Sequence, residues 1–221
     1  MIPSFLAALG DIFDPRLRRI LALSVLLAAI VLAALAIGLG FLLYRTTLFD
    51  LAYLDEALKV LGGLAIFVLS WMLFPAVATL VLGFFLDGAI ATVEQRRYPF
   101  LPPPNRQSFA GVLFGAARLA LLAIVLNLLA LPAYLLVPGV NLLLFYAING
   151  WLLGREYFEL VALRRLDERQ VRLMWQARRL QLVLAGAVIA FLLTLPLVNL
   201  AAPLIAALFM LHLVERLREA A

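Results

Sequence analysis

The chain has 221 residues, 66% of them hydrophobic and 14% charged, with a mean hydropathy of +1.09. A soluble domain carries about 25% charge, and several apolar runs here exceed the ~20 residues that cross a bilayer, so the composition excludes an ordinary water-soluble domain and marks an integral membrane protein. The net charge of +5 belongs almost wholly to arginines that flank apolar runs, Lys59 being the one lysine, so it is read as a topology signal rather than as a nucleic-acid surface.

Residues 1–19 place Phe5, Leu6, Leu9, Ile12 and Phe13 at helical spacing before Asp14-Pro15, which predicts a short amphipathic helix on the membrane surface. Residues 20–43 are an uninterrupted apolar run, longer than the roughly 7–15 residues of a signal h-region, and predict an uncleaved first transmembrane helix. A polar interruption, 44–59, carries Asp50, Asp55 and Glu56 against Arg45 and Lys59. A second transmembrane helix is predicted at 60–86, with Pro75 inside it and a continuation into water to about residue 97. The stretch 87–118, with Pro102-Pro103-Pro104, reads as an extended connector.

From Leu119 to Leu153 no residue carries a formal charge. The run is too long for one crossing and short for two, and Pro138-Gly139 divides it. The run 182–214 repeats the pattern around Pro196 and Asn199. Both are predicted to be helical hairpins, proline ending one arm and Asn141 or Asn199 capping the next. Hairpins that dip into the membrane and pairs of short full spans both satisfy the lengths. Charge supports paired arms either way: if each run returns to the side it left, only Arg45 and Lys59 lie opposite the other basic residues. Between the hairpins, 154–181 reads as an amphipathic segment at the cytoplasmic interface, with Trp175 a candidate anchor. The fold expected is an all-α integral membrane protein. It is a single membrane domain of two long transmembrane helices, two re-entrant hairpins and amphipathic interfacial helices.

Little in this inventory does covalent chemistry. Cysteine is absent, which removes disulfides and thiolate metal sites, and His212 is the lone histidine, read as a satisfied or interfacial imidazole rather than a metal ligand. The sequence contains no G-x-S-x-G, P-loop or G-x-G-x-x-G motif, and the pairs Asp55-Glu56 and Asp167-Glu168 read as solvated charge. Neither an enzyme nor a cofactor is expected. A pathway through the apolar runs must use backbone dipoles, amides such as Asn127, Asn141 and Asn149, and arginines at its mouth, which suit an anion.

The order of PRLRRI at 15–20, PAVATLVLGFFLDGAIATVE at 75–94, LVPGVNLLLF at 136–145, NGWLLGREYFE at 149–159, RRLQ at 178–181 and LPLVNLAAPL at 195–204 resembles the CysZ-type sulfate permease family, which includes the etoposide-induced membrane proteins. The likeness runs over roughly 15–216, and its most specific piece is the Leu-Pro-x-x-Asn-Leu-x-x-Pro turn at 195–203. It implies two long transmembrane helices with two hemi-penetrating hairpins. It also implies an inner-membrane homo-oligomer taking up sulfate for cysteine synthesis. By the same resemblance, Arg18, Arg19 and Glu94 are associated with anion handling. Ala8-Leu9-Gly10-Asp11 stands where some family members carry Gly-Leu-Gly-Asp. Topology alone also accounts for Arg18 and Arg19, and a pair with Arg97 one turn away also accounts for Glu94.

Two functions are therefore expected to compete. One is an anion channel or permease, with sulfate as substrate and Arg18, Arg19, Glu94, Asn141 and Asn199 as binding residues. The other is a membrane-embedded interaction or scaffold protein, using Arg164, Arg165, Arg178 and Arg179 on its cytoplasmic face toward a partner or lipid. Membrane lipid surrounds either one, and nucleic acid is not an expected partner.

Overall fold

The computed structural model describes residues 1–46, 52–105, 109–136 and 139–219, and every regular element among them is helical. In chain order these are α1 (Ile2–Ile12), α2 (Pro15–Arg45), α3 (Ala52–Arg97), α4 (Phe109–Leu136), α5 (Val140–Ala162), α6 (Glu168–Ala177), α7 (Arg179–Thr194), a 3-10 turn (Leu197–Leu200) and α8 (Ala202–Glu219). By length and composition α2, residues 53–97 of α3 and residues 117–134 of α4 can each cross a membrane. The chain separates into two compact units, Pro15–Asp87 on the one hand and Met1–Asp14 with Gly88–Ala221 on the other.

In the unit Pro15–Asp87, α2 spans 31 residues, or about 46 Å at 1.5 Å per residue. The next helix, α3, starts at Ala52, eight residues before the apolar run, because a charged first turn is no barrier to a helix when its charges pair. Lys59 Nζ lies 2.6 Å from Asp55 Oδ2, the favourable i,i+4 arrangement with the acid N-terminal to the base. The helix continues through Pro75. Phe41, Trp71 and Phe84 stand exposed, as side chains do when lipid is their solvent. Asp50 of the predicted interruption lies outside the described residues.

In the other unit α8 is the core. Pro203 through Leu213 are all buried, packed by α1, α5 and α7. An edge-to-face contact between Phe5 and Phe209, 5.4 Å between ring centroids, ties α1 to α8. Phe5, Leu9 and Ile12 also cover a small cluster of Leu192, Ala202 and Ile205 beneath the α7–α8 turn. The amphipathic face predicted for α1 therefore divides. Phe5, Leu9 and Ile12 pack within this unit, while Leu6 and Phe13 stay exposed.

Helices α5 and α7 meet at glycines. A Cβ on Gly186 would lie 2.0 Å from the Gly150 carbonyl oxygen, and one on Gly154 would lie 2.5 Å from that of Leu182. The sequence GWLLG at 150–154 is thus a small-xxx-small crossing, the device by which helices in lipid bring their backbones together.

The hairpin tips differ from expectation in two ways. Neither asparagine caps a helix: Gly139, with φ +88°, is the N-cap of α5, a left-handed conformation that glycine adopts without a Cβ clash. Asn141 follows inside α5, and Asn199 lies within the 3-10 turn. Proline does act as predicted at 196, where Leu195 is extended before it and α7 has ended. Pro138 lies outside the described residues. Second, the arms of the first hairpin are 28 and 23 residues, longer than the uncharged stretches on either side of Pro138-Gly139, because helix α4 starts at Phe109 and α5 runs on past Arg155 to Ala162. Counting uncharged residues marked the apolar stretch, and the backbone stays helical beyond it. The second hairpin keeps short arms of 16 and 18 residues.

Candidate functional site

A layer of charge runs through the unit formed by Met1–Asp14 and Gly88–Ala221, where α1, the end of α3 and α8 come together. Asp11, fully buried, is its hub. Its Oδ1 accepts from Arg96 Nη2 and, at 2.8 Å, from Arg97 Nε. Its Oδ2 lies 2.7 Å from His212 Nε2. Arg96 also pairs with Asp14. A carboxylate beside two guanidinium groups accepts only, so His212 Nε2 carries the proton in this arrangement. Nδ1 then accepts from the Tyr98 hydroxyl at 2.8 Å. Burial pushes the Tyr98 phenol above its ordinary pKa, and the charges of Glu215 and Glu219 add to the shift, so it remains a donor. The lone histidine is thus satisfied at both nitrogens, the satisfied imidazole expected where no second histidine and no cysteine stands in the sequence.

Ser4, Arg97, Tyr98, His212, Arg216 and Glu219 line a cleft of about 420 Å³ at this junction. Arg216 is exposed there and has no ion-pair partner among the described residues.

A second cluster lies one turn back on α3. Glu94, 5% exposed, takes Arg164 Nη2 at 3.1 Å and Arg165 Nη2 at 3.1 Å. Arg165 Nη1 donates to the Pro102 carbonyl, and Asn105 N–H donates to the Arg164 carbonyl at 2.7 Å. The α5–α6 turn thereby holds the proline-rich connector. Arg165 Nε is buried without a partner among the described residues. Glu94 accordingly does not pair with Arg97 and does not reach into water. Sequence neighbours one turn apart lost to arginines 70 and 71 positions away, which bring two guanidinium groups to one buried carboxylate.

The five residues predicted to bind an anion fall on different elements. Arg18 and Arg19 are exposed in the first turns of α2, and Asn141 is exposed at the start of α5. Asn199 is half-buried in the 3-10 turn, while Glu94 is buried and neutralised. The four arginines assigned to a docking face also separate. Arg164 and Arg165 are committed to Glu94, whereas Arg178 and Arg179 are exposed. Trp175, the predicted interfacial anchor, is buried against Trp151 and Phe158, with the Arg155 guanidinium 5.0 Å over its ring. Asp167 is more than solvated charge: it caps α6, accepting from Gln170 N–H at 2.7 Å while Gln170 Oε1 accepts from its own N–H.

Asp11, Tyr98, Arg96 and Arg97 were not singled out as site residues by sequence reasoning. The stripe Ser4–Ala8–Asp11, small and polar at i, i+4 and i+7, was the available signal, since it forms the buried face of α1.

A family model described as sulfate transporter CysZ/etoposide-induced protein 2.4 matches residues 4–203. The chain belongs to this family. No curated protein matches it. The match covers α1 through the α7–α8 turn, so both charge clusters apart from the α8 residues fall within it. The CysZ/etoposide-induced family is one of membrane transporters, in accord with three helices among the described residues that are long and apolar enough to cross a bilayer, and membership makes this a multi-pass membrane protein with a sulfate-transporter-like role.

Proposed function

We propose that this protein is a sulfate permease or channel of the inner membrane, supplying sulfate for cysteine synthesis and working as a homo-oligomer. The observation that carries the reading is the family match over residues 4–203. Arg18 and Arg19 support it, being exposed at the start of a spanning helix, where paired guanidinium groups concentrate an anion before it crosses. Glu94 acts in this reading by holding Arg164 and Arg165 in place, and Asn141 and Asn199 offer amides at the two tips.

The proposed topology keeps 154–181 on the same side as the amino terminus. The second hairpin dips and returns: α7 has 16 residues, about 24 Å, against a hydrocarbon core of ~30 Å. In the first pair, α4 has the length of a full span, so that pair crosses and comes back.

The test is labelled-sulfate uptake into proteoliposomes, with chloride and phosphate as competitors. Saturable uptake competed by sulfate alone is expected, and Arg18→Gln with Arg19→Gln is expected to lower it about tenfold or more while leaving the melting temperature unchanged. Absence of flux from a folded preparation would overturn the sulfate assignment.

A further inference from the structure

We propose that the corner where α6 meets α7 is a binding site for one anionic phospholipid. Arg178 and Arg179 hold its headgroup phosphate, Arg169 and Arg172 stand beside them, and the acyl chains lie along α7.

The corner is sharp, the two helices meeting at 88°. Val171 and Trp175 pin the inner face of α6 to the rest of the unit, which leaves Arg169, Arg172 and the 56%-exposed Leu173 facing outward. Arg178 and Arg179 occupy the bend itself and are exposed. None of these four arginines has an ion-pair partner among the described residues. By contrast Arg96, Arg97, Arg155, Arg164 and Arg165 in the same unit are all paired with carboxylates. From residue 169 to residue 214 the sequence contains no aspartate or glutamate at all, so the positive charge of the corner is uncompensated along this stretch. No side chain caps the start of α7, and the positive end of its dipole adds to the same potential.

A small anion would satisfy the arginines but would make no use of the apolar face that continues directly below them. Leu180, Leu184 and Phe191 are 74%, 48% and 50% exposed, and their spacing of four and seven residues sets them on one side of α7. From Leu180 to Phe191 the strip is about 16 Å long, close to the ~15 Å of one leaflet's hydrocarbon. A phosphate with two acyl chains matches both parts: charge at the bend, apolar surface for one leaflet's depth beneath it. A basic cluster of this kind attracts anionic lipid and is screened by salt.

The experiment uses the purified full chain in an uncharged detergent, offered phosphatidylglycerol or phosphatidylcholine, with bound lipid counted by native mass spectrometry. Wild-type protein is expected to prefer phosphatidylglycerol about tenfold or more, and Arg178→Gln with Arg179→Gln is expected to remove most of that preference. Arg45→Gln, at an exposed arginine that ends α2, should leave it unchanged. Raising salt from about 0.1 to 1 M should release the lipid from the wild type, a readout that needs no variant to fold. Equal retention of the two lipids by wild-type protein, or an unchanged preference when all four arginines are glutamine, would overturn the proposal. So would displacement of the lipid by millimolar inorganic phosphate, which would make the corner a free-anion site. A co-purifying polypeptide released by the same substitutions, with no lipid preference, would assign the corner to a protein partner instead.

Discussion

Asp11 gathers three side chains from two other helices onto one fully buried carboxylate. Removing a carboxylate of this kind leaves its partners desolvated and without an acceptor, and breaking such a pair typically costs about 3–5 kcal/mol. Arg96 and Arg97 keep 45% and 42% of their side chains exposed, so the loss falls mainly on His212, whose Nε2 would face a cavity. Asp11→Ala is therefore expected to lower the melting temperature strongly in detergent. Lys59→Ala, which removes the partly exposed i,i+4 pair with Asp55, should cost about 0.5 kcal/mol or less. Equal small shifts for both would show that the Asp11 network is solvated and contributes little.

Among the elements, the α5–α7 crossing depends most on single atoms. A methyl group at Gly186 would meet the Gly150 carbonyl oxygen at 2.0 Å and Gly154 N at 2.4 Å, both backbone, so only a separation of the helices could admit it. Gly88 sits in helical backbone with nothing within 4 Å of where its Cβ would be. Alanine there should stabilise by about 0.5–1 kcal/mol through helix propensity. Gly186→Ala is expected to destabilise the fold while Gly88→Ala raises or preserves its melting temperature; the same response from both would mean that the crossing adapts. Separation of α5 from α7 would also disturb Trp175, since its partners Trp151 and Phe158 are on α5. A change in tryptophan fluorescence should therefore accompany the loss of stability in Gly186→Ala.

For the whole molecule, the question is which side of the membrane the α7–α8 turn sees. The chain has no cysteine, so a single Asn199→Cys is a unique label, placed in a half-buried turn that carries no side-chain cap. Arms of 16 and 18 residues predict a tip that stops short of the far surface. The expected outcome is no labelling by a membrane-impermeant maleimide from the face opposite the carboxyl terminus. Efficient labelling from that face alone would convert the hairpin into two thin spans.

Membrane residence, the helical class and the approximate placing of the breaks follow from the sequence alone, because each is set by local quantities. These are uncharged run length, proline where a backbone donor must be missing, and arginines at run ends. The family resemblance was legible in the same way, from motifs such as Leu195–Pro203 that need no third dimension. Helix ends were not, since α4 and α5 continue through residues that a hydrophobic count treats as loop. The partners of charge were not legible either. Glu94 had a base one turn away at Arg97 and was given two others 70 and 71 positions along the chain, and Asp11 looked like the end of a surface helix. A buried carboxylate takes the donors that tertiary packing brings to it in low dielectric, where each charge must be matched, and no pattern within one helix records which distant turn will arrive.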